Sequence, residues 1–215
     1  MIAFVFLLSA NYGYRLMSKL ASIPTFLLFL FTVSAPSGSV ARRAPELSIN
    51  NASGKVIALS NFTGKVLVVE FLFIGSTHCG SVAKTLSALN RELGPRGFQA
   101  LGVAFTAPGS MADAAAVDTF VQSYQLAIPV GYTSKENVDR FLSRGPADVL
   151  NIPQIVVIDR AGVIRAQSGN RPGNPKLEDE ASLRALLDGL LKETAPSRTS
   201  GEQSLPASEE SQHQR

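Results

Sequence analysis

The stretch Lys65–Phe73, "KVLVVEFLF", constrains the fold more than any other part of the chain. It is a near-continuous apolar run, rich in valine and phenylalanine. A strand with one wet face alternates polar and apolar residues, whereas a strand covered on both faces reads as this one does. The run therefore predicts an inner strand with packed layers on either side. One residue interrupts it, Glu70. A carboxylate is costly to bury unless partnered or protonated, and burial raises its pKa. The bland alternative is a glutamate at a strand end, facing water.

The neighbouring segments alternate in type. "SINNASGKVIALS" holds two short segments about Gly54, a hairpin signal. Cys79–Leu93 puts Val82, Leu86, Leu89 and Leu93 on one helical face, and "GPRG" ends that helix. "FQALGVAF" is a second buried strand. "MADAAAVDTFVQSY" predicts a helix with Ala116, Val117, Phe120 and Val121 as its apolar positions, and "KENVDRFL" a short one. "PQIVVIDRAGVIRAQ" predicts a strand, a turn at Arg160–Gly162 and another strand. "LEDEASLRALLDGLLKE" closes with an amphipathic helix whose first turn is acidic, where the helix dipole favours acids. Helices between buried strands imply an α/β sandwich around a central sheet. No internal repeat interrupts the pattern.

The two ends read differently from this domain of residues 42–193. Residues 1–41 open with two apolar runs, "MIAFVFLLSA" and "IPTFLLFLFTV", separated by Arg15 and Lys19. The second run is about a dozen residues, shorter than the roughly 20 that span a bilayer. It has the length of a signal-peptide core, with positive charge before it and the small-residue site Ser39–Val40–Ala41 after it. Met17 is an alternative start, since "MSKLASIPTFLLFLF" is a complete signal by itself. An uncleaved membrane anchor and a buried N-terminal helix are the competing expectations. No cysteine follows the run, which excludes a lipoprotein anchor. Residues 194–215 are polar, Ser/Pro-rich and poor in apolar side chains, so they are expected to be disordered.

Composition narrows the partners. The net charge is only +3, and no Lys/Arg run is interleaved with aromatics, so nucleic acid is not an expected partner. Cys79 is the one cysteine of the chain. An internal disulfide is impossible, although a dimer through Cys79 is not. One histidine beside one cysteine is too few ligands for a structural metal site, and nothing calls for a cofactor. The oligomeric state is not legible.

The order of elements, with "GKVLVVEFLF…STHC", "GPRGFQALGVAF", "IPVGY" and "LNIPQIVVIDRAG", resembles the thioredoxin fold. It is most similar to the exported TlpA/ResA-type thioredoxins, grouped with the alkyl hydroperoxide reductase/thiol-specific antioxidant proteins. The likeness runs from about Pro45 to Lys192. It implies a three-layer α/β sandwich with a central mixed β-sheet. It also places the family's C-x-x-C motif on Ser76, Thr77, His78 and Cys79. The attacking cysteine of the family is Ser76 here, the resolving one is Cys79, and Gly75 stands where an aromatic is usual. The buried acid that exchanges a proton with the second cysteine falls on Glu70. The cis-proline that faces the motif falls on Pro153, preceded by Ile152. Three of four mechanistic parts are present, and the nucleophile is missing.

Each of these residues has two readings. Ser76 is an N-cap that accepts the N–H of Cys79, or it donates a hydrogen bond to the Cys79 sulfur. Cys79 is a thiol favoured by the positive end of a helix, or a buried and inert one. His78 points to solvent or acts as a base. Pro153 opens a strand, where proline can sit only at an end. In the family it leaves a backbone edge free for an extended peptide. Thr77, His78, Ile152 and Pro153 are thus the candidate substrate-binding residues, and Cys79, Ser76 and Glu70 the candidate catalytic ones. Three functions follow. The first is an exported, cell-envelope thiol oxidoreductase or antioxidant working through Cys79 with Glu70 as proton partner, acting on a thiol or disulfide protein or on a small thiol. The second is a non-catalytic module holding peptides at the Pro153 groove. The third is a one-cysteine peroxidase, which the resemblance disfavours because Leu72 stands where peroxidases carry proline.

Overall fold

The computed structural model describes residues 41–145, 147–169 and 176–194. The expected leader, its cleavage site and the polar tail lie outside them. Among the described residues no helix is long and apolar enough to cross a membrane. The chain runs β1 (Arg42–Arg43), β2 (Ser48–Asn51), β3 (Val56–Ala58), β4 (Val66–Leu72), α1 (Thr77–Leu93), β5 (Phe98–Phe105), α2 (Ala114–Tyr124), β6 (Val130–Thr133), α3 (Lys135–Leu142), β7 (Gln154–Ile158), β8 (Val163–Gln167) and α4 (Glu180–Lys192).

All strands form one sheet in the order β1-β8-β7-β4-β5-β6-β2-β3. The apolar run is β4, and every one of its seven residues is buried. It pairs parallel to β5 and antiparallel to β7, so the sheet is mixed. Alternation along β4 feeds two cores. Val66, Val68 and Leu72 pack with α1, α2 and α4, while Leu67, Val69 and Phe71 pack with α3. Three helices on one face and one on the other give the expected three layers. The connections explain this division. α1 and α2 carry successive parallel crossovers, β4 to β5 and β5 to β6, which progress in one direction and so cover one face. The chain then returns from β6 to β7 on the far side of β4, with α3 on the other face.

Helix boundaries differ from the sequence pattern where a cap decides them. α2 begins at Ala114 and not at Met111, because the Asp113 carboxylate accepts the Ala116 N–H at 2.8 Å; Met111 is left 67% exposed. α4 begins at Glu180, because Asp179 accepts the Ser182 N–H at 2.8 Å. Leu177 and Glu178 therefore lie in the lead-in to α4 and not on it. β1 was not expected. Its two arginines pair with Ile164 and Val163 along the free edge of β8.

Arg160, in the β7–β8 turn, gathers three chain ends. Its guanidinium donates to the carbonyls of Arg96 at 2.9 Å, Leu191 at 3.3 Å and Gly64 at 3.4 Å. These carbonyls close the turn after α1, the end of α4 and the approach to β4. The guanidinium lies over Gly97, whose φ of +94° is left-handed and where a Cβ would sit 2.9 Å from Nη1. Hydrogen bonds to a charged group are worth about 1.5–3 kcal/mol in total effect when one partner is deleted. Arg160→Ala is expected to lower stability by about that amount in urea denaturation. An unchanged midpoint would show that water replaces the guanidinium without loss.

α1 and α2 meet at a second close approach. A Cβ built on Gly80 would lie 2.0 Å from Cζ of Tyr124, with two further ring carbons at 2.2 and 2.5 Å. The Tyr124 ring is held in turn by Phe120, with centroids 5.0 Å apart. Only glycine leaves room for the ring beside Cys79. Gly80→Ala should therefore cost about 1–3 kcal/mol, the range of overpacking a filled site, although alanine is otherwise the better helix former. The same denaturation series checks it, and Tyr124→Ala in the Gly80→Ala background should recover part of the loss.

Candidate active site around Cys79

β4 ends at Leu72, and the turn Phe73–Ser76 carries the chain up into α1. The Ser76 N–H donates to the Phe73 carbonyl at 3.2 Å, and the Gly80 N–H to the Ser76 carbonyl at 3.0 Å. Ser76 is the N-cap: its Oγ accepts the Cys79 N–H at 3.3 Å. Thr77 and His78 are exposed in the first turn, while Cys79 is wholly buried in the core shared by α1, α2 and α4. The His78 Nε2 lies 2.7 Å from Oε2 of Glu178. Thus His78 faces solvent and binds a carboxylate there.

Glu70 stands on β4 opposite Gly102 of β5 and Ile155 of β7, on the face shared with Val68 and Leu72. It is on the same side of the sheet as Cys79. Its side chain is 0% exposed, and among the described residues neither carboxyl oxygen has a hydrogen-bond partner. An ionised carboxylate there would be an uncompensated buried charge, which costs several kcal/mol. Burial accordingly pushes the Glu70 carboxyl well above the usual carboxylate range, and the Glu178 charge adds to the shift.

Burial also pushes the Cys79 thiol up. Hydrogen bonding from the Ser76 hydroxyl and from the backbone of Phe73 opposes this, and the Glu70 charge, when present, reinforces it. The balance is upward, so Cys79 is a thiol and not a thiolate at neutral pH. The helix N-terminus does not reverse it. The Cys79 N–H, which Ser76 Oγ accepts at 3.3 Å, also draws the thiol's pKa down, but less than burial raises it.

Pro153 arrives at the same end of β4. β7 begins at Gln154, whose register partner is Phe71 on β4, so Pro153 sits level with the end of β4. The Ile152–Pro153 bond is cis. Ile152 packs into both cores, and Pro153 is buried. Behind it, Ser168 Oγ accepts the Ile155 N–H at 2.8 Å, and the Gln154 amide donates to Ser168, which locks β7 and β8 together at the site. The fold thus brings Ser76, Cys79, Glu70, Ile152 and Pro153 to the region around the C-terminal end of the central strand β4, with Thr77 and His78 exposed in the first turn of α1. The pattern-based reading missed Glu178 and Tyr124. Glu178 reads as one acid among three in "EDE", and Tyr124 as the end of a helix.

The buried acid makes a pH signature. A carboxyl whose folded-state pKa is raised is protonated more in the folded chain than in the unfolded one. Its contribution to stability is fully present below the unfolded-state midpoint, about 4.3, and is lost as pH rises toward the folded midpoint. The slope limit is about 1.4 kcal/mol per pH unit for one proton. Stability should therefore fall with rising pH above that unfolded midpoint, and Glu70→Gln should flatten the fall. Urea denaturation from pH 4 to 8 on both proteins checks it; parallel curves would mean that Glu70 is not titrating differently on folding.

Comparisons with known proteins bear on the fold and the family. A thiol:disulfide interchange protein of Chlorobium tepidum TLS superposes with a TM-score of 0.57 at 20% identity, covering 70% of this chain and 97% of its own. A thiol:disulfide interchange protein DsbE from the same species, described as putative, gives 0.57 at 22% identity, covering 70% and 96%. A solution structure from Neisseria meningitidis, named as a putative thioredoxin, gives 0.54 at 22% identity, covering 70% and 91%. At these identities the likeness establishes the thioredoxin-like fold. No curated protein sequence matches. Residues 40–167, more than half of the 215, match the AhpC/TSA family, and the chain belongs to it.

Proposed function

We propose that this chain is an exported thiol oxidoreductase that works through one sulfur, Cys79, with Glu70 as its proton partner. The observation that carries the reading is Glu70 itself. A fully buried acid with no hydrogen-bond partner among the described residues destabilises the strand that holds it, and it shares its face of the sheet with the only thiol of the chain. Strain of this kind persists where it serves chemistry.

The protonation states fix the direction of the chemistry. A thiol with a raised pKa is a weak attacking group and a poor leaving group unless a proton is supplied. A neutral carboxyl supplies one. Consider a mixed disulfide between Cys79 and a substrate sulfur. An external thiolate attacks the substrate sulfur, a new disulfide forms between those two, and the Cys79 sulfur leaves with the bonding electron pair. Glu70 then gives its proton to that sulfur and becomes a carboxylate, which solvent reprotonates. Ser76 has no part in electron transfer, because a hydroxyl cannot replace a thiolate here. It caps the helix and hydrogen-bonds at the sulfur. Ile152 and Pro153, with the exposed Thr77 and His78, offer the surface on which a thiol- or disulfide-bearing peptide would lie.

One observation favours a second reading, a peptide-binding module without turnover. Cys79 is fully buried, and a sulfur that no reagent reaches is inert whatever its neighbours. Alkylation of Cys79 in the folded protein, followed against pH, separates the two. The first reading expects measurable alkylation with a midpoint above that of a free cysteine, and Glu70→Gln lowers that midpoint by removing the carboxylate that forms in the alkaline range. No alkylation short of unfolding, or the same midpoint in both proteins, would move the binding module ahead.

A missing activity is expected too. Dithiol reduction of insulin needs a second thiol to release the mixed disulfide, so the wild-type chain should not show thioredoxin-like turnover, and robust turnover would overturn the single-sulfur reading. Ser76→Cys should gain it, since the cap position, Glu70 and Pro153 are already in place. Export rests on the leader alone. The secreted form should begin near Arg42, which N-terminal sequencing decides; a chain that keeps Ile23–Val33 would be membrane-anchored.

A further inference from the structure

We propose that the cavity at the end of β4 opposite Cys79 is a binding site for a small amphiphilic carboxylate, a short apolar body carrying one anionic head. The inference is independent of the chemistry proposed at Cys79.

The cavity measures about 360 Å³, within the range of roughly 300–1,000 Å³ that small-molecule sites occupy. Three segments wall it: residues 43–46 after β1 begins, residues 59–65 between β3 and β4, and residues 158–162 at the β7–β8 turn. Each is hydrogen-bonded to the other two. The Ala44 N–H donates to the Gly162 carbonyl at 2.8 Å. The Ser60 N–H and hydroxyl donate to the Glu46 carboxylate at 3.3 and 3.2 Å. The Arg160 guanidinium donates to the Gly64 carbonyl at 3.4 Å. These ties close a ring around the cavity, so its shape is set by the fold before any ligand arrives, which lowers the cost of binding.

The floor of the cavity is apolar. Leu67 of β4 and Ile158 of β7 are register partners, and both are buried in the core on the α3 face. Ala44, Leu59 and Phe62 pack against that core and are only partly buried. The rim is cationic. Arg43 and Lys65 are exposed, and among the described residues neither has an acid partner. Arg160 bonds carbonyls and no acid. Two acids also line the cavity. Asp159 is committed to its own turn, accepting the Ala161 and Val163 N–H groups, each at 2.9 Å, and it already has a cation in Arg165 at 3.1 Å. Three lining cations therefore face one further acid, Glu46. A bare anion would meet only screened surface charge here. A bare hydrocarbon would leave the cations unmatched. A carboxylate on a short chain or a single ring uses floor and rim together.

The cavity is distant from the sulfur. The seven residues of β4 lie between them, about 20 Å at roughly 3.3 Å per residue. A ligand held here would leave the turn around Cys79 undisturbed.

Octanoate is the probe, titrated into the isotope-labelled full chain and followed by amide chemical shifts. Saturable shifts are expected in residues 43–46, 59–67 and 158–162, with residues 76–80 unmoved. Octanol keeps the body without the charge, and acetate keeps the charge without the body; each should bind more weakly than octanoate. Reversing the rim charge with Arg43→Glu and Lys65→Glu together should weaken octanoate about tenfold or more. Both side chains are exposed, so this variant should fold. Salt tests the same point in the wild type: added NaCl should weaken octanoate and not octanol. The proposal is overturned if no saturable shift appears, if the shifts centre elsewhere, if octanol binds as tightly as octanoate, or if neither charge reversal nor salt weakens octanoate. Anionic lipid headgroups are the other source of such chemistry. Co-sedimentation with phosphatidylglycerol vesicles that charge reversal abolishes, without saturable octanoate binding, would assign the cavity to a membrane surface and overturn the free carboxylate.

Discussion

The rest of this structure is arranged around one unfavourable placement, the burial of Glu70 in the central strand with no hydrogen-bond partner among the described residues. β4 is covered by helices on one face and by α3 on the other, so the carboxyl is fully buried. Neighbouring strands offer it only Gly102 and Ile155. Holding a proton lowers the cost of that burial. In the mechanism proposed above, the proton held there serves Cys79, the thiol that shares this core, so the apolar packing that makes β4 a stable centre is also what would make the acid chemically useful.

The fold was legible in the sequence because its signals are local and redundant. β4 and β5 announce themselves as apolar runs, α3 matches "KENVDRFL" residue for residue, and the hairpin about Gly54 follows from turn chemistry. Boundaries were legible only where a cap was recognised. Asp113 and Asp179 shorten α2 and α4 because a carboxylate that accepts an N–H two or three residues on fixes the first turn, and apolar periodicity carries no record of that. β1 could not be read from two arginines, since its pairing depends on β8 lying free at the sheet edge.

The site was legible in its inner parts and not in its outer ones. Ser76 and Cys79 stand three residues apart at the start of α1, so their cap contact follows from spacing; Glu70 on β4 and Pro153 before β7 were set beside them only by the resemblance to the family. Glu178 meets His78 across a hundred residues, and Tyr124 meets Gly80 across forty-four; no periodicity links such pairs. Gly80 was the one local trace of the second contact. A glycine in the first turns of an otherwise strong helix invites the question of what lies against it, and the answer is a tyrosine ring.

Ser76 couples the start of the helix to the sulfur. Serine is among the best N-caps, worth about 1 kcal/mol over a residue that cannot accept the hydrogen bond. Its hydroxyl accepts the Cys79 N–H at 3.3 Å, and both the Ser76 hydroxyl and the Cys79 backbone draw the thiol's pKa down. Burial outweighs them, so the balance is upward and the sulfur stays protonated. In the mechanism proposed above, a sulfur so placed is a poor opening nucleophile and leaves with a proton supplied by Glu70.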